Sequence, residues 1–290
     1  RLTWYGGEPL MNQEVIDIIC DGLREAGIEF RSTMITNAYL FDDATVEKAI
    51  KKWNIKRLQV TLDGTEEVYN RIKAFVGADG NPYEIVLSNI MRFAGQQVKV
   101  AIRMNMDIHN AENLLALVDE IALRFAEMKN LKMYAYHLFK NGTTNAEHHT
   151  DEEWRLRSEL MDRLNDKLLS TGLLIEGIIS QGVKLNRCMA DSGRDITILP
   201  DGNIGLCDHC SETDFIGHID REGFDSKIEE SWRQRSEEIA ECEECFYFPE
   251  CFRLKRCMSE ETCYSAYRHG KLQQAKRMMK NTYRKWLEEN

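Results

Sequence analysis

Eight of the chain's nine cysteines fall between Cys188 and Cys263, and their spacing divides into two sets of four thiolates, enough sulfur for two metal sites. Cys188 and Cys207 bracket a Pro200-Asp201-Gly202 turn, Cys210 follows in a Cys-Asp-His-Cys run, and Cys242, Cys245, Cys251, Cys257 and Cys263 come further on. Three chemistries compete. Disulfides suit small secreted domains, whereas this 290-residue chain has no signal-peptide pattern and no apolar run near the roughly 20 residues that span a membrane. The thiols are therefore expected to be reduced, in the cytoplasm. Cys207-x2-Cys210 and Cys242-x2-Cys245 have the spacing of zinc ribbons, where four thiolates close a tetrahedral site, and four thiolates equally hold an iron-sulfur cluster. The cysteines alone do not choose between zinc and iron.

Glycines and carboxylates at the ends of apolar runs form a second set. Gly6-Gly7-Glu8-Pro9 follows Leu2 to Tyr5, Thr36-Asn37 follows Phe30 to Ile35, and Thr61-Leu62-Asp63-Gly64 closes a run that begins at Leu58. A glycine pair lets backbone approach a ligand, and Glu8 adds a carboxylate able to receive an ammonium group. Taken singly, Asp63-Gly64 also reads as a plain turn and Asn37 as a left-handed cap.

The elements that must position these residues alternate strand and helix. Strands are expected near residues 2–5, 30–36, 58–62, 98–105 and 131–138, with amphipathic helices over about 12–26, 43–53 and 111–128. That alternation implies a parallel sheet with crossover helices, and the polar candidates all lie at C-terminal strand ends, where barrels place active sites. The chain opens without Met and enters a strand at its second residue. It is therefore expected to be a fragment whose first β-α unit precedes Arg1. Further on, residues 195–199 and 203–206 read as a hairpin around Pro200-Asp201-Gly202. With 43% hydrophobic and 30% charged residues, the chain can bury a core in two domains, expected over 1–180 and 181–290. A net charge of −10 argues against a nucleic-acid partner, and nothing points to a membrane.

In order and spacing, Gly6-Gly7-Glu8-Pro9, Thr36-Asn37 and Thr61-Leu62-Asp63-Gly64 resemble the radical S-adenosylmethionine (SAM) superfamily, and the cysteine region resembles its SPASM extension. The resemblance covers essentially the whole chain. It implies an α/β fold, a partial (β/α)6 TIM-like barrel lacking its first β-α unit, then a small Cys-rich domain with a β-hairpin and a C-terminal helix. Gly6, Gly7, Glu8 and Pro9 would hold the amino group of SAM, with Asn37 in the same mouth. Thr61 and Asp63 would lie on its ribose side, and Arg103 or Asn105 near its carboxylate or adenosyl portion. Ala38 stands where the family often has Gly, and Lys73 where an Arg is common. The family's Cys-x3-Cys-x2-Cys loop, which holds the SAM-cleaving 4Fe-4S cluster, is absent from the sequence and is expected before Arg1.

The resemblance also implies two auxiliary 4Fe-4S clusters with interleaved ligands. Cys188, Cys207 and Cys257 would serve cluster I with Cys210 as fourth ligand, and Cys242, Cys245, Cys251 and Cys263 cluster II. Cys257 and Cys263 can exchange in this reading, and Cys210 can instead stay off the cluster, leaving an open iron. Asp208, beside Cys207, stands where some members have a proton acceptor, although a loop residue explains it as well. The implied activity is hydrogen-atom abstraction from a peptide or protein substrate, with an electron donor such as flavodoxin or ferredoxin. The leading expectation is thioether or carbon-carbon crosslinking of a ribosomally made peptide. The alternatives are formylglycine formation in an anaerobic sulfatase-maturating enzyme, or a non-catalytic peptide-binding module, either a degenerate radical SAM barrel or a zinc-stabilised scaffold.

Overall fold

The computed structural model describes residues 1–75, 80–138, 150–175, 189–208, 210, 212–235, 237–238, 240–248, 251 and 265–289. The chain divides into two compact units: Arg1–Leu138 with Leu156–Glu176, and Phe139–Arg155 with Gly177–Asn290. Among the described residues no helix is long and apolar enough to cross a membrane.

The first unit is built on five parallel strands: β1 (Leu2–Trp4), β2 (Ser32–Thr36), β3 (Ile55–Thr61), β4 (Lys99–Met106) and β5 (Leu131–His137). They lie side by side in chain order, β1-β2-β3-β4-β5, so each crossover advances the sheet in one direction. That is the winding of a barrel segment, since a doubly wound sheet reverses its strand order. The side chains alternate accordingly. Met34, Leu58, Val60, Ile102 and Met104 are fully buried on one face. On the other, Thr33, Gln59, Thr61, Arg103, Asn105 and Tyr134 are only partly buried. A parallel sheet covered by helices on both faces would read as continuous apolar runs, so the polar face marks the side left for a ligand.

The crossover helices follow from local signals. A 3-10 turn over Pro9–Asn12 leads into α1 (Gln13–Glu25), which buries Ile16 and Cys20. Burial pushes the Cys20 thiol up to about 11, so Cys20 serves as a small apolar residue of the core. Asp42 caps α2 (Asp43–Lys51) by accepting the Thr45 N–H at 2.7 Å. Two helices that the apolar periodicity did not mark lie between β3 and β4: α3 (Glu66–Lys73) and α4 (Pro82–Gly95). Asn81 before Pro82 is the signal for the second, an N-cap ahead of a proline in the first turn. α5 (Ala111–Arg124) precedes β5, and α6 (Asp151–Ser170) sets Arg163 and Lys167 against Glu112 and Asp119 of α5.

In the second unit, α7 (Met189–Ser192) precedes an antiparallel sheet of β6 (Thr197–Ile198), β7 (Asn203–Gly205) and β8 (Gly217–His218). Gly202 takes φ +84° in the β6–β7 turn, and a Cβ there would meet the His218 ring at 2.9 Å, so glycine is required on both counts. α8 (Ser226–Ser231) is capped by Asp225, and α9 (Ser265–Glu289) ends the chain's helical structure. Ala190, Ile204, Leu206, Ile216 and Trp232 form a small apolar core, with Cys207 and Cys210 packed against it.

Candidate functional site

The C-terminal edge of the five-stranded sheet gathers Gly6, Gly7, Glu8, Pro9, Asn37, Thr61, Asp63, Arg103 and Asn105 from the ends of β1 to β4. Gly6 has φ +138°, a conformation that favours glycine, and an added Cβ at Gly6 or Gly7 would meet nothing within 4 Å. This loop is open on its outer side.

Glu8 reaches across to the end of β2. Its Oε1 accepts the Leu10 N–H at 3.1 Å and the Thr36 hydroxyl at 2.6 Å, and its Oε2 accepts the Asn37 N–H at 2.8 Å. A carboxylate offers about four acceptor positions, so one remains on Oε2. The loop after β2 is fixed in turn. Ala38 adopts φ +59°, its N–H donates to Thr36 Oγ1 at 3.0 Å, and buried Asn89 holds the carbonyls of Ala38 and Phe41. The left-handed backbone explains why glycine would suit position 38.

Asp63 is 8% exposed. Its Oδ1 accepts the Asn105 N–H at 3.0 Å, joining the ends of β3 and β4, and its Oδ2 pairs with Lys73 at 3.1 Å. A Cβ at Gly64 would fall within 2.5 Å of Asn113 Oδ1, and Asn113 bonds both the N–H and the hydroxyl of Thr65. The tight turn therefore places Asp63 firmly. Arg103 donates to Asn105 Oδ1 at 3.1 Å and stacks over the Tyr136 ring at 4.4 Å, while Tyr134 donates to Gln59 at 2.9 Å. Burial raises the Tyr134 hydroxyl pKa, partly offset by Arg103.

Asn113 carried no signal in the sequence, standing on α5 away from the strand-end motifs, and Lys73, there only a departure from the family pattern, gains its role from the ion pair with Asp63. This edge can receive a ligand with a cationic end at Glu8 and a hydroxyl at Asp63. Those needs fit the ammonium and ribose of SAM.

The thiol candidates lie in the second unit. The Cys210 N–H donates to the Cys207 carbonyl at 3.3 Å, closing a turn over Gly205, where a Cβ would collide with Cys210 Sγ. A like turn joins Cys245 N–H to the Cys242 carbonyl at 3.2 Å, and the Cys251 N–H donates to Phe248 O at 3.1 Å. Both Cys-x2-Cys pairs thus sit on tight backbone turns. Cys188, Cys257 and Cys263 lie outside the described residues. Among the described residues no group of three Cys, His or acidic side chains converges. Asp208 accepts from Cys207 Sγ at 3.7 Å.

No protein-family model matches the chain. Solved structures do. Native anSMEcpe with bound AdoMet and Kp18Cys peptide is similar over 99% of this chain and 84% of its own, at TM-score 0.66 and 14% identity. Streptococcus suis SuiB bound to S-adenosylmethionine is similar over 86% of this chain, which spans 59% of SuiB, at TM-score 0.56 and 16% identity. SuiB bound to precursor peptide SuiA gives TM-score 0.53. At these identities the likeness establishes the fold.

Proposed function

We propose that this chain, whose fold is that of the radical SAM enzymes anSMEcpe and SuiB, forms the AdoMet-binding barrel and auxiliary-cluster domain of an enzyme that modifies a peptide. The observation that carries the proposal is Glu8. It is locked by three hydrogen bonds, two of which reach across to the end of β2, with one acceptor position left over. When bound and reduced by one electron, AdoMet supplies a 5′-deoxyadenosyl radical that takes a hydrogen atom from an unactivated carbon.

The chain's own residues bind and orient. Glu8 receives the ammonium of AdoMet through Oε2, and the Gly6-Gly7 loop lets the backbone approach. Asp63, with Thr61 beside it, faces the ribose, and Arg103 and Asn105 line the adjoining wall. In the second unit, Cys207, Cys210, Cys188 and Cys257 would hold one auxiliary 4Fe-4S cluster, and Cys242, Cys245, Cys251 and Cys263 the other. Fully ligated, those clusters would accept an electron; with Cys210 off its cluster, the open iron would hold a substrate thiolate. Asp208 is proposed as the proton acceptor beside them, and a flavodoxin or ferredoxin as the electron source.

Two substrate chemistries compete. Likeness to SuiB with its precursor peptide supports crosslinking of a ribosomally made peptide, and the closer whole-chain likeness to anSMEcpe supports formylglycine formation. Incubating the protein that carries this chain with AdoMet, reductant and cysteine-containing peptides separates them by mass. Loss of two hydrogens with a new crosslink supports the first; replacement of the thiol by an aldehyde supports the second. Unchanged peptides from both classes, with the clusters in place, would contradict the proposal.

A further inference from the structure

The Tyr69 hydroxyl is a buried donor with no acceptor among the described residues. Its side chain is fully buried on α3, with ring centroids 6.4 Å from Phe75 and 5.7 Å from Tyr83. A buried donor left unpaired is unfavourable, so it calls for an explanation.

Its surroundings supply one. Lys73 lies four residues on, hence on the same face of α3, and reaches Asp63 at 3.1 Å, which sets that face against the carboxylate. Burial first, then the charges of Asp63 and Glu8, push the Tyr69 pKa above the ordinary tyrosine value. The hydroxyl therefore keeps its proton, and both carboxylates lie within its electrostatic reach. Asp63 is engaged by Asn105 and Lys73, and Glu8 by Leu10, Thr36 and Asn37. A ligand hydroxyl can do both, accepting from the phenol and donating to a carboxylate. An ammonium has no lone pair to offer, and a second carboxylate would be repelled.

We propose that the Tyr69 hydroxyl positions the ligand by donating a hydrogen bond to a ligand hydroxyl held against Asp63, of the kind a ribose carries. This rests on the AdoMet reading above and adds to it a positioning residue on α3. The test is calorimetric binding of AdoMet, and of its 2′-deoxy and 3′-deoxy ribose analogues, to the anaerobically reconstituted protein and its Tyr69→Phe variant. Urea unfolding without AdoMet accompanies it. Tyr69→Phe should weaken AdoMet binding about threefold to tenfold, the worth of one hydrogen bond. Its urea midpoint should not fall, because the hydroxyl it removes has no partner to lose. One deoxy analogue should bind both proteins equally. Equal AdoMet affinity in the two proteins overturns the inference, as does an equal loss for AdoMet and both analogues. Failure of the wild-type protein to bind AdoMet overturns the AdoMet reading itself, and this inference with it.

Discussion

The Glu8 carboxylate accepts the Thr36 hydroxyl at 2.6 Å, tying the loop after β1 to the last residue of β2. The same carboxylate holds the Asn37 N–H at 2.8 Å, so its position is set before any ligand arrives. Glu8→Gln keeps the shape but removes the charge and turns a donor toward groups that are themselves donors. AdoMet affinity should fall about tenfold to a hundredfold, the range for a hydrogen bond to a charged group, as read by calorimetry.

Asp63 and Lys73 form the second fixed pair of the edge, with side chains 11% and 26% exposed. Lys73→Met leaves a nearly buried carboxylate without its cation and should cost about 1–3 kcal/mol in urea unfolding. Lys73→Arg restores the charge and should recover most of that loss. Equal stability of the Met variant and wild type would show that the pair does not hold Asp63.

Much of this edge was legible in the sequence because strand ends carry local marks. Gly6-Gly7-Glu8, Thr36-Asn37 and Asp63-Gly64 each close an apolar run, and the structure brings all three to one edge. Lys73 reads as a mere departure until its partner Asp63 is seen ten residues earlier. Asn113 is harder still, since it fixes Thr65 from 48 residues away and leaves no local pattern. The paired Cys-x2-Cys turns were readable from spacing, whereas which thiols converge on one centre depends on contacts that spacing does not contain.

Asp17 gives a pH dependence unrelated to the site. Burial acts to raise its pKa, but the hydrogen bonds from Trp53 and Lys48 and the charges of Lys48 and Lys52 outweigh it, and the net shift is downward. A carboxyl depressed on folding stabilises the protein above its ordinary value of 3.8 and loses that contribution as pH falls through the lower folded value. Asp17→Asn should therefore flatten the acid limb of stability against pH. An unchanged acid limb in the variant would rule out this contribution.

The metal content separates iron from zinc. Anaerobic reconstitution should give about eight auxiliary irons with matching sulfide and broad visible absorbance, as two four-thiolate 4Fe-4S centres require. Cys242→Ala should remove about four of them, one cluster's worth. Stoichiometric zinc in a colourless protein would contradict the two-cluster assignment.

The most direct test of the central claim is production of 5′-deoxyadenosine by the protein that carries this chain, fully reconstituted and supplied with AdoMet, peptide and reductant. The account predicts its formation in step with peptide modification, and its suppression by Glu8→Ala while the iron content stays unchanged. No 5′-deoxyadenosine from the wild-type protein with its clusters in place, or undiminished formation by the variant, would contradict the account.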